Sequence, residues 1–83
     1  MDKEEFKALS HVKKLFLIMD HGRLVLERKE ENQLMKLFVY NLFYVEVTYL
    51  QKENKVTNIS TPDMDYIVDE YLDTINVKDL LDL

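Results

Sequence analysis

The stretch LMKLFVYNLFYVEVTYL, residues 34–50, decides the fold, because it is apolar on both alternating faces and is interrupted only by Lys36, Asn41, Glu46 and Thr48. A strand buried on one face alternates apolar with polar, whereas one that is apolar on both faces needs cover on both. Over residues 30–42 a helix competes with this reading. Leu34, Leu37, Phe38, Asn41, Leu42 and Val45 also fit a helical spacing, and Glu30 and Glu31 would suit a helix amino end. The weight of Phe38, Val39, Tyr40, Phe43, Tyr44, Val45, Val47, Thr48 and Tyr49 favours strand, since β-branched and aromatic side chains fit a pleated surface. Asn41 tolerates left-handed backbone and predicts a tight turn between strands ending at Tyr40 and starting at Phe43. A two-residue turn of Asn41 and Leu42 sets Tyr40 opposite Phe43, Phe38 opposite Val45 and Leu37 opposite Glu46. Leu34, Phe38, Tyr40, Phe43, Val45, Val47 and Tyr49 then form a core face. Met35, Leu37, Val39, Tyr44, Glu46, Thr48 and Leu50 form a mixed face with a carboxylate at its centre.

Working outward, residues 3–19 predict one amphipathic helix whose stripe of Ala8, Leu9, Val12, Leu15, Phe16 and Met19 faces the core. Phe6, Leu17 and Ile18 fall outside that stripe, so the helix is expected to be covered on more than one side near its end. Gly22, the single glycine, is the expected terminator, placing the helix end near Asp20 or His21. Leu24 to Leu26 predict a first strand, Glu27 to Gln33 a polar turn, and Lys55 to Thr61 a fourth strand. In that fourth strand the three-residue spacing of Val56 and Ile59 calls for a bulge or a short irregular edge. Thr61-Pro62-Asp63 marks a helix start with Thr61 as cap, and Met64, Ile67, Val68, Tyr71, Leu72 and Ile75 mark its apolar stripe. Asn76 to Leu81 predict a short terminal helical turn. The expected architecture is a single α+β domain over residues 1–83: an N-terminal helix, an antiparallel meander of about four strands, and a C-terminal helix.

A chain of 83 residues without cysteine has neither disulfides nor thiolate zinc sites, so its stability must come from a large apolar core or from association. With 47% hydrophobic and 33% charged residues, the composition is that of a globular protein. The mixed-charge start MDKEEFKALS is unlike a secretory signal, and no apolar run approaches the ~20 residues that cross a bilayer. The expected setting is cytoplasmic, with no membrane partner. Residues 1–61 carry 10 basic and 9 acidic side chains, and residues 62–83 carry one basic and 7 acidic, so the net charge of −5 belongs to the carboxyl end. Nucleic acid, which needs clustered Lys and Arg, is not an expected partner.

Chemistry-bearing patterns are sparse. His11 and His21 lack metal-ligand spacing, and in Asp63, Asp65 and Asp69 a calcium loop fails at Ile67 and Val68. One glycine cannot build a phosphate cradle, and there is no nucleophile elbow. No catalytic, cofactor or metal set is predicted. Glu46 stands apart, because a carboxylate between Val45 and Val47 either reaches water or needs a partner.

Leu24-x-x-x-Arg28, Leu37-Phe38, Phe43-Tyr44-Val45-Glu46-Val47-x-Tyr49, Tyr71-Leu72-x-x-Ile75 and the closing Asp79-Leu80-Leu81 together span most of the chain. This pattern resembles a group of short uncharacterised proteins of gut-dwelling bacteria. The resemblance implies an architecture and a bacterial cytosolic setting, and no activity.

The leading functional expectation is a small non-enzymatic interaction domain that associates, most simply as a homodimer, through Met35, Leu37, Val39, Tyr44, Glu46 and Leu50. If both helices pack on the core face, this second face exposes more apolar area than monomers usually tolerate. If each helix takes one face, the chain can be monomeric. A small-molecule or catalytic pocket near Glu46 and an acidic inhibitor of a basic partner are the alternatives.

Overall fold

The computed structural model describes residues 1–72. Its elements are α1 (Lys3–Lys7), α2 (His11–His21), β1 (Arg23–Glu30), β2 (Gln33–Tyr40), β3 (Phe43–Leu50), β4 (Lys55–Ser60) and α3 (Met64–Tyr71). The strands form one antiparallel meander in the order β1-β2-β3-β4. The terminal turn expected over Asn76 to Leu81 lies outside the described residues.

The central hairpin follows the register read from its sequence, with Tyr40 opposite Phe43, Phe38 opposite Val45 and Leu37 opposite Glu46. Asn41 and Leu42 turn the chain with φ of 44° and 73°. Two positive φ values match the right-handed twist of the flanking strands. Asn41 accepts this backbone readily, whereas a leucine pays roughly 1–2 kcal/mol for it. Leu42 is fully exposed at the tip.

Around that hairpin the edges differ from expectation. β1 continues through Glu27–Glu30, where a turn was predicted, and only Glu31 and Asn32 connect it to β2. Charge is tolerated here because β1 is an edge strand and its margin of the core face is left in solvent. Glu27 lies opposite Lys36, and the two pair at 3.8 Å. Both edges carry a register irregularity, at Val25 in β1 and at Thr57 in β4, the latter as the Val56–Ile59 spacing requires. Such irregularities twist an edge away from further strand pairing.

The N-terminal segment is two helices rather than one. Asp2 and Glu5 cap α1 reciprocally, the Asp2 carboxylate accepting from the Glu5 N–H at 2.8 Å and Glu5 accepting from the Asp2 N–H at 3.3 Å. The chain then breaks at Ala8–Ser10, and the Ser10 hydroxyl starts α2 by accepting from the Lys13 N–H. The break resets the helical phase. Phe6, outside the predicted stripe, becomes fully buried, and α2 turns Ile18 inward with Leu15 and Leu17 at its flanks. Gly22 ends α2 as expected, but with φ −75° and ψ 150°, so positive φ is not what selects glycine. A Cβ there would lie 2.7 Å from the Ile18 carbonyl oxygen, and close approach is the requirement.

Each face of the sheet has its own helical cover. Phe6, Ile18, Phe38, Phe43, Val45, Val47 and Ile59 form the core under α1 and α2, while Ile67 and Tyr71 of α3 close over Leu37 on the opposite face, with Leu26 and Tyr44 against them. Asp63, not Thr61, caps α3, its carboxylate accepting from the Tyr66 N–H at 2.9 Å. An acid at this position also complements the positive helix end.

Candidate functional site

Glu46 sits in the middle of β3, 4% exposed, on the face that α3 covers. The i, i+5 spacing of Tyr66 and Tyr71 brings two phenols from one helix down onto a single carboxylate. Tyr71 donates to Glu46 Oε2 at 2.7 Å and Tyr66 donates to Oε1 at 2.9 Å. Both oxygens of a buried carboxylate thus receive a donor, which is the condition for keeping it inside. Arg28 extends the chain of donors. Its Nη2 gives a hydrogen bond to the Tyr66 hydroxyl at 3.3 Å, its guanidinium lies 5.3 Å from the Tyr71 ring centroid, and its Nη1 pairs with Glu30 at 3.1 Å and Glu70 at 3.5 Å. The order Arg28, Tyr66, Glu46 is a donor series in which each bond polarises the next.

Burial first, and then the hydrogen bonds to Glu46 and its charge, push the Tyr71 phenol well above its usual value near 10; Tyr66 is pushed the same way. Below about pH 10 both hydroxyls are protonated in the folded and the unfolded chain, so their contribution is fully present. Above it the unfolded chain releases these protons while the folded chain holds them. Stability therefore falls as pH rises, for Tyr71 by up to ~1.4 kcal/mol per pH unit, with solvent screening reducing the share of the more exposed Tyr66. Urea midpoints between pH 8 and pH 11 are expected to decline less steeply in Tyr71→Phe than in the wild type. Equal slopes would contradict the assignment.

A shallow cleft of about 440 Å³ opens beside this cluster, lined by Glu46, Asn58, Ser60, Asp63 and Tyr66 among others. Asp63 is engaged in capping α3 and Glu46 in holding both tyrosines. Among the described residues no group of three or more His, Cys, Asp or Glu is placed to hold a metal ion.

Of the residues expected to form an association face, Met35, Leu37 and Glu46 are buried within the chain, while Val39, Tyr44 and Leu50 are half-buried. The face that was expected to need a partner is covered by α3 over Leu37, Tyr44 and Glu46. Tyr66 and Tyr71 were not foreseen as partners of Glu46, nor Arg28 as the partner of Tyr66. Tyr71 had been placed on the apolar stripe, and Arg28 lay in a segment read as turn.

Among the described residues, the most exposed run of large apolar side chains on a helix is elsewhere, on α2. Val12, Phe16 and Met19, expected in the core, lie on the outer face of α2 with 58%, 65% and 56% exposure. Their i, i+4, i+7 spacing makes a continuous stripe along the helix. Beside it is a cleft of about 280 Å³ bounded by Met1, Leu9, Lys13, Phe16, Leu17 and Asp20. The Asn41 side-chain amide donates to the Met1 carbonyl, which sets the β2–β3 turn with its exposed Leu42 next to this region. The signal for this stripe was in the sequence. Ser10 is a residue type that starts helices, and the apolar run Leu15–Met19 is more than one helix face can bury. Met64 and Val68 on α3, and Leu72 at its C-cap, are also exposed.

No helix among the described residues is long and apolar enough to cross a membrane. Comparison with protein-family models, with curated proteins and with solved structures finds no match for this chain.

Proposed function

We propose that this chain is a small, non-enzymatic protein-interaction module that binds through the outer face of α2. The observation that carries this reading is the exposure of Val12, Phe16 and Met19 along one side of a helix whose opposite side, at Ile18, is fully buried. Exposed apolar residues scattered singly are normal, but a contiguous stripe of large ones is the usual mark of a contact surface. The Glu46 cluster supports the same division of labour. It ties α3 to the sheet and leaves the mixed face engaged within the chain, so association falls to a surface the fold does not use. The acidic carboxyl end gives weaker support to a basic partner, because Asp63 caps α3 and Glu70 pairs with Arg28.

Phe16→Ser tests this reading. A side chain used for contact and not for the core is expected to change unfolding free energy by no more than about 0.5 kcal/mol, against several for a core phenylalanine. A loss as large as that of a core position would show that Phe16 belongs to the intramolecular core, and the reading would fall.

A further inference from the structure

We infer that the occupant of the α2 face is a second copy of this chain, with the two α2 helices packed antiparallel about a twofold axis passing between Phe16 and Leu17. This rests on the reading of α2 as a contact surface and names its partner.

The charge pattern of the patch carries the argument. Lys13 and Asp20 flank the same apolar cleft, one toward each end of α2, and both are exposed. Seven residues apart, they are separated by about 10 Å along the axis, too far to pair with each other. Neither makes an ion pair among the described residues. Their midpoint falls between Phe16 and Leu17, at the centre of the apolar surface. A twofold rotation about that point sets Lys13 of one copy against Asp20 of the other and repeats the contact at the opposite end, as an isologous interface requires. A foreign surface of single charge would satisfy one of these groups and oppose the other.

The helix spacing agrees. Packed helices lie 8–10 Å apart, within reach of a Lys–Asp pair across the seam. Phe16 of each copy then meets its symmetry mate, with Val12 of one copy toward Met19 of the other. One further feature enlarges the patch: Met1 borders the cleft beside Leu9 and Phe16.

The size of the patch sets the strength. One helix of 11 residues spans about 16 Å, which places the interface among the small, transient ones. Dissociation is therefore expected at roughly 100 µM.

The test is sedimentation equilibrium of the full chain from 10 µM to 1 mM on the wild type, Phe16→Ser, Lys13→Asp, Asp20→Lys and the double exchange. The wild type is expected to pass from monomer to dimer, and Phe16→Ser to remain monomeric. Each single exchange sets like charges together at both ends and is expected to weaken the dimer about tenfold; the double exchange restores it. A wild type that is monomeric throughout overturns the second-copy inference, while the contact-surface reading stands if Phe16→Ser is as stable as the wild type. A dimer indifferent to Phe16→Ser overturns both. A dimer lost in Phe16→Ser but not rescued by the double exchange overturns the antiparallel register.

Discussion

Tyr71→Ala is expected to lower the unfolding free energy by about 3–5 kcal/mol, the range for deleting a buried aromatic side chain. A domain of this length has on the order of 4–12 kcal/mol in total, so a large part of its stability is at stake. Three losses coincide at this residue. The ring is fully buried against Leu37 and Ile67, its hydroxyl donates to Glu46 at 2.7 Å, and its face lies near the Arg28 guanidinium. Tyr71→Phe separates these effects. It keeps the ring and leaves Glu46 Oε2 without its donor, at an expected cost of about 1.5–3 kcal/mol, the larger value reflecting a charged acceptor left in a buried site. Urea unfolding of both variants measures the two quantities. A Tyr71→Phe variant as stable as the wild type would mean that the hydroxyl does not hold α3 to the sheet.

Phe6→Ala is expected to cost a similar 3–5 kcal/mol from the opposite face. A helix of five residues has almost no stability of its own, and α1 stays in place because Phe6 is fully buried between two other rings. Its centroid lies 5.5 Å from Phe43 and 6.1 Å from Tyr40, in tilted arrangements that favour aromatic contact, and Lys14 Nζ lies 6.0 Å from the ring. Removing the ring opens a cavity at the hairpin end of the core and frees α1. Thermal or urea unfolding gives the magnitude, and amide exchange shows where the loss falls. Protection is expected to vanish at the Phe6 and Ala8 amides, which bond to the Asp2 and Glu4 carbonyls, while α3 keeps its own. A loss below about 1 kcal/mol would show that α1 does not contribute to the core.

The central hairpin was legible from its sequence because side-chain alternation and turn chemistry agree there: Asn41 selects the turn, and the turn selects every pairing from Tyr40–Phe43 back to Gln33–Leu50. The bulge in β4 was legible for the same reason, as Val56 and Ile59 cannot share a face without one. The first helix was misread because α2 is apolar on nearly all sides from Leu15 to Met19, so periodicity alone does not say which stripe is inside. Ser10 decides it by breaking the helix and resetting the phase. The Glu46 cluster was legible only by half. A carboxylate in a strand announces that it needs partners, but Tyr66 and Tyr71 are brought to it by the crossing of α3 over the sheet and Arg28 by the pairing of β1 with β2, which no local pattern encodes.

Both faces of the sheet are engaged within the chain, and the association proposed above uses the outer face of α2. A dilution series of ¹⁵N–¹H correlation spectra, from about 1 mM to 20 µM around the dissociation constant expected for a small interface, tests it residue by residue. Concentration-dependent shifts are expected at Val12, Lys13, Phe16, Met19 and Asp20, with Val39, Tyr44 and Leu50 unmoved. Shifts confined to Val39, Tyr44 and Leu50 would contradict it, and no shifts at any concentration would overturn association with a second copy.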